Sequence, residues 1–209
     1  MAKGVDTPTN CTSLAAAIKE SGYDFVCRYY NRNNPGKNLT RAEANALTQA
    51  GLYIVAVWEN GFPTSAGYFS YTSGNRDGKD AFVYARDTIG QPFGTPIYFA
   101  VDYDAALADI QGGIREYIRG VIDSFKSLSE DDYSYEVGVY GSGLTCQSLM
   151  QAFPEVTYAW LSESIGWSGY HSFDTWNIKQ LSGSAIAGTP VDTNVTTGNG
   201  GGFQVGKAG

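Results

Sequence analysis

The sequence predicts an α/β fold, a single (β/α)8 barrel of TIM type with degenerate helices in its C-terminal third. Three observations carry this reading. Eight apolar runs of strand length recur along the 209 residues. Helical patterns separate the early runs, and strand–helix alternation with strands apolar on both faces marks a parallel sheet covered by helices. After the fifth run the connections become rich in Gly and Ser, too poor in helix formers for full helices. An open doubly wound sheet is the alternative.

Taken in order, the expected strands are "GVD" (4–6), "FVCRYY" (25–30), "YIVAVWE" (53–59), "PIYFAVD" (96–102), "YEVGVYG" (135–141), "YAWLSE" (158–163), "WNIKQL" (176–181) and "PVDTNV" (190–195). Between the first two lies a short Ala-rich helix, "SLAAAIKES". The next, "TRAEANALTQAG", opens on a capping box of Thr40 and Glu43 and stops at Gly51. "KDAFVYARDTIG" has helical spacing. The longest helix is expected from about Leu107 to Leu128, where Ile110, Ile114, Ile118, Val121, Ile122 and Phe125 form one apolar stripe. A shorter helix follows Ser142. Residues 1–195 are read as the barrel and 196–209 as a Gly-rich tail, flexible or weakly docked.

Composition removes several functions. The net charge is −7, with only 14 Lys and Arg, none clustered, which disfavours neutralising nucleic-acid phosphates. No apolar run approaches the ~20 residues of a membrane span. The opening "MAKGVDTPTN" lacks an apolar signal core, so export is expected by another route or after removal of a signal, with action at the cell wall. One histidine, His171, leaves no multi-histidine zinc site, and no nucleophile elbow accompanies it. Three scattered cysteines make no disulfide framework. With no GxGxxG or Walker A pattern, no cofactor or metal is expected. A monomer is expected.

Carboxylates and aromatics remain plentiful. In a (β/α) barrel the functional groups lie at the C-terminal strand ends. Reading each run to its end finds Asp6, Glu59, Asp102 with Asp104, Glu163 near the end of the sixth, and Asp192 on the eighth. Period-two alternation puts Tyr98, Ala100 and Asp102 on one face, suited to the barrel interior, and Ile97, Phe99 and Val101 on the other, suited to the helices. A lone Arg28 inside an apolar strand needs a partner if buried, and the ring of carboxylates is the expected one. Tyr30, Trp58, Tyr103, Tyr140 and Trp160 are expected to offer flat faces for sugar rings, and Gln180 to bind substrate. The long segment 60–75, with Phe62, Tyr68, Phe69 and Tyr71, reads as a cleft wall or lid. Paired acids without histidine or cofactor fit glycoside cleavage, in which one protonated carboxyl donates to the leaving oxygen and a second, ionised one serves as base, nucleophile or charge support.

The blocks "GVDTPT", "GYDFVCRYY", "AGLYIVAVWENG", "GTPIYFAVDYD", "VGVYGSG" and "YAWLS" resemble, in order, the bacterial glycoside-hydrolase-like barrel domains, distant relatives of the family 25 muramidases of lysozyme type. The resemblance runs from Gly4 to about Val195, and "PVDTNV" resembles the closing Asp–x–Asn strand of the muramidases. It implies that the muramidase acids fall on Asp6, on Asp102 with Asp104, and on Asp192. Position 104 departs from the pattern, holding Asp where the muramidases place Glu as the acid, so either Asp104 or Glu59 is the expected proton donor. The expected function is cleavage of a bacterial cell-wall glycan. A non-catalytic glycan-binding barrel and a carboxylate-bound metal hydrolase are the alternatives.

Overall fold

The computed structural model of the chain describes residues 1–129 and 133–206. Eight strands close into one barrel in sequence order: β1 (Lys3–Asp6), β2 (Phe25–Tyr30), β3 (Tyr53–Trp58), β4 (Pro96–Ala100), β5 (Glu136–Gly141), β6 (Val156–Leu161), β7 (Ile178–Ile186) and β8 (Thr189–Thr196). Each falls on one of the eight apolar runs. β1 to β7 are parallel neighbours, but β8 runs antiparallel to both β7 and β1. The all-parallel expectation therefore fails at the last strand. The physical reason is the connection: a parallel return needs a crossover of a dozen or more residues, and only the two-residue turn Ala187–Gly188 separates β7 from β8. Both turn residues have positive φ, 48° and 82°, as a tight hairpin turn demands.

Helices fill the connections only as far as β6. They are α1 (Ala15–Glu20), α2 (Arg41–Gln49), α3 (Tyr71–Val83) running on into a π-helical segment (Tyr84–Ile89), α4 (Leu107–Asp109) passing through a π segment (Ile110–Ile114) into α5 (Arg115–Leu128), and α6 (Gly143–Ala152). α3 starts earlier than its apolar spacing indicates, because Ser70 and Ser73 cap it reciprocally and draw the last five residues of the expected 60–75 loop into the helix. At α2, Thr40 accepts from the Glu43 amide as a cap should, but the Glu43 side chain does not return the bond; it is buried against Arg28.

Two apolar layers result. Phe25, Cys27, Val55, Val57, Tyr98, Ala100, Trp160 and Ile178 fill the barrel. A larger layer, including Val5, Val26, Ile54, Ile97, Phe99, Val101 and the α5 stripe, lies between barrel and helices. Up to residue 206 the Gly-rich end is packed onto the barrel. Phe203 is buried and exchanges two 2.8 Å backbone hydrogen bonds with Ile54, Val205 donates to the Thr48 hydroxyl, and Tyr98 donates to the Gly200 carbonyl. Gly201 allows this approach: at φ +75° an added Cβ would meet Pro96 at 2.0 Å. Residues up to 206 thus plug the bottom of the barrel and leave its top open.

Candidate active site

The open end holds a cavity of about 320 Å³, lined among others by Asp6, Tyr29, Lys37, Glu59, Asp102, Tyr140, Trp160, Glu163, Trp167, Gln180 and Asp192. Alternation explains who enters it. On β2, Cys27 and Tyr29 point inward; on β3, Val55 and Val57 do, with Glu59 next; on β4, Tyr98 and Ala100 do, with Asp102 next. Asp192 arrives differently. Because β8 runs downward, Asp192 pairs with Asp6 across the β1–β8 ladder and belongs to the upper half of its strand.

Asp6 lies at the floor, 2% exposed. Its carboxylate accepts from Asn194 Nδ2 at 2.7 Å, Gln180 Nε2 at 3.1 Å and Tyr29 Oη at 3.3 Å. Trp160 Nε1 in turn donates to Asn194 Oδ1 at 2.9 Å, and Tyr140 Oη to Gln180 Oε1 at 2.9 Å. Burial raises the Asp6 carboxyl from its ordinary 3.8 to about 6, against the lowering effect of its three donors, with Asp192 adding to the rise.

Glu59 and Asp102 have opposite surroundings. Lys37, delivered by the short helical turn Pro35–Lys37, places its ammonium 2.6 Å from Glu59 Oε1 and 3.9 Å from the Tyr29 ring centroid. The Glu59 charge is thereby engaged. The Asp102 carboxylate has no hydrogen-bond donor or ion-pair partner among the described residues. Burial and then the nearby Glu59 charge push its carboxyl above the usual range, with Lys37 opposing. One carboxylate paired with a lysine beside a second carboxyl raised by burial is an arrangement suited to general acid catalysis.

Five expected site residues lie elsewhere. Arg28 is fully buried on the outer face of β2, bonded to Glu43 at 2.6 Å and to the Thr7 carbonyl. Its partner comes from α2, not from the carboxylate ring. Tyr30 shares that face and donates to Gln91 Oε1 at 2.7 Å. Trp58 is buried beneath the helices, with Arg32 over its ring at 5.5 Å. Each is one residue out of phase with the inward set. Tyr103 stacks on Phe69 and donates to Asp109, away from the cavity lining. Asp104 is exposed and accepts from the Ser168 amide at 2.8 Å and the Ser168 hydroxyl at 3.1 Å. It latches the β6–β7 loop, and Asp104 does not line the cavity. Trp160 lines the floor but is only 2% exposed, so it orients Asn194 and offers little face to a sugar.

Sequence reasoning missed Tyr29, Lys37 and Trp167. Tyr29 was legible: it is the inward residue of "FVCRYY" in phase with Cys27. Lys37 and Trp167 sit on loops, where no periodicity speaks. Among the described residues, no group of three His, Cys, Asp or Glu side chains converges to hold a metal ion, and no helix is long and apolar enough to cross a membrane.

A family model described as "Rv2525c-like, glycoside hydrolase-like domain" matches residues 16–205. Two Bacillus subtilis (strain 168) proteins align across the chain. FadG is 28% identical over 211 residues, covering 96% of this chain and 34% of FadG. YbfG is 30% identical over 210 residues, covering 91% and 28%. The chain therefore spans about a third of the length of these curated relatives. Among solved structures, the Tat-secreted protein Rv2525c of Mycobacterium tuberculosis, in complex with HEPES, superposes with a TM-score of 0.77 at 20% identity over 96% of this chain and 98% of that one. A family 25 glycosyl hydrolase from Bacillus anthracis gives 0.61 at 14% identity, over 95% and 90%. The modular autolysin LytC of Streptococcus pneumoniae, in complex with a synthetic peptidoglycan ligand, gives 0.60 at 15%, over 92% and 46%. At such identities the structural likeness shows the fold alone.

Proposed function

From the premise that this chain belongs to the Rv2525c-like, glycoside hydrolase-like domain family, we propose that its barrel mouth binds and cleaves a bacterial cell-wall glycan of peptidoglycan type. One observation carries the reading: Asp102, without a side-chain partner among the described residues and raised by burial, lies in the same cavity as Glu59, which pairs with Lys37. Asp102 is the general acid, donating its proton to the glycosidic oxygen. Glu59 is the ionised carboxylate that supports positive charge developing on the sugar or activates water. Asp6, fixed by three donors, shapes the floor and the field. The family 25 hydrolase and the peptidoglycan-bound autolysin among its structural neighbours support the substrate class. The Tat secretion of Rv2525c supports action outside the cytoplasm.

A non-catalytic glycan-binding barrel is the second reading, and Asp104 favours it, since that side chain is turned to Ser168 and away from the cavity. Purified peptidoglycan sacculi separate the two. Cleavage predicts release of new reducing ends with time. Co-sedimentation of the protein with sacculi and no reducing ends establishes the binding module instead.

A further inference from the structure

Two cavity carboxylates, Glu163 and Asp192, take no part in the chemistry above. They come from the β6–β7 loop and from β8, across the barrel from Glu59 and Asp102. Charge in the cavity is uneven between these walls. Lys37 balances Glu59 on one side. On the other, neither the Glu163 nor the Asp192 carboxylate accepts a hydrogen bond or pairs with a cation among the described residues. Lys179, the one cation of β7, turns away and stacks over Tyr170 at 4.3 Å and Trp176 at 5.9 Å. Trp167, on the same loop as Glu163, brings an indole to the same cavity lining. Asp104 holds that loop in place through Ser168.

The cavity and its aromatic surfaces make the site; the surplus acids set the charge of what it takes. We propose that the β6–β8 wall is a subsite for a protonated amino group, so that the preferred glycan carries free, de-N-acetylated hexosamine units. This rests on the glycan reading above. A sugar ammonium offsets the negative charge of this wall, can donate hydrogen bonds to its carboxylates, and is attracted to an indole face. An acetamide at the same place is neutral and bulkier, and offers no charge to the exposed Glu163 and half-buried Asp192 carboxylates. The proximity of the two acids shows in Glu163, whose carboxyl is raised by burial and then by Asp192.

The test is calorimetric titration of the whole chain with two probes, the glucosamine tetrasaccharide and the N-acetylglucosamine tetrasaccharide, at low ionic strength. Asp102→Asn is titrated in parallel so that turnover does not distort the heats. The amino form should bind tighter by roughly tenfold or more, the equivalent of one well-placed charge contact. Added salt should narrow the gap. In Glu163→Gln/Asp192→Asn, with circular dichroism unchanged, the ratio should fall to about one. Equal or tighter binding of the acetylated form, or a ratio that survives the double substitution, overturns the amino-group subsite and leaves the glycan reading standing. If neither probe binds and sacculi are not bound either, the glycan reading fails and the subsite with it.

Discussion

Asp6 and Arg28 are both buried charged side chains, and they do different things. Asp6 has its carboxyl raised from 3.8 to about 6. A carboxyl raised on folding contributes stability below the unfolded value, and this is lost as pH rises through the folded value. The shift corresponds to roughly 3 kcal/mol. Urea unfolding at pH 4 and pH 7 should therefore show wild type losing more stability with rising pH than Asp6→Asn, by up to about that amount. Parallel curves for the two proteins would show that Asp6 titrates normally. Arg28 and Glu43 form an ion pair with both side chains fully buried. Arg28→Met leaves Glu43 uncompensated and should cost roughly 3–5 kcal/mol, read as a lower denaturation midpoint. Activity per folded molecule should persist, because Arg28 faces the helices. A stable but inactive Arg28→Met would return Arg28 to the site.

Between elements, α3 and α5 approach each other closely, and glycines permit it. A Cβ on Gly120 would meet the Tyr71 carbonyl oxygen at 2.3 Å and the Asn75 nitrogen at 2.6 Å. A Cβ on Gly74 would meet the Tyr117 oxygen at 1.9 Å, and one on Gly78 the Ser124 hydroxyl at 2.1 Å. Gly120→Ala should therefore destabilise by roughly 1–3 kcal/mol through overpacking, even though alanine is the better helix former. A melting temperature equal to or above wild type would show that the helices separate at no cost. The crossing also holds Asp77, fully buried and accepting from Tyr68 and Tyr117. This network is invisible in the sequence because Tyr117 lies 40 residues from Asp77.

At the scale of the whole molecule, strand number, strand order and the end at which the cavity opens were legible, since apolar runs separated by helical patterns constrain a barrel strongly. The direction of β8 was legible only from the shortness of its connection to β7. Of the expected residues, Asp6, Glu59, Asp102, Tyr140, Gln180 and Asp192 line the cavity; alternation was applied to β4 alone, where it points Asp102 inward. The site was misread where strand ends were taken without their phase, as at Arg28, Tyr30 and Trp58. Loops carry Lys37, Trp167 and the Asp104 latch, and their placement depends on long-range hydrogen bonds that a single sequence does not show.

The central claim is that Asp102, not Asp104, donates the proton. Reducing-end release from purified sacculi by wild type, Asp102→Asn and Asp104→Asn tests it most directly. General acid help is typically worth 10²–10⁴-fold, so Asp102→Asn should lose about that factor in kcat with sacculus binding retained. Asp104→Asn should act mainly on KM by loosening the β6–β7 loop. The reverse order, with Asp104→Asn abolishing turnover and Asp102→Asn near wild type, would contradict this account.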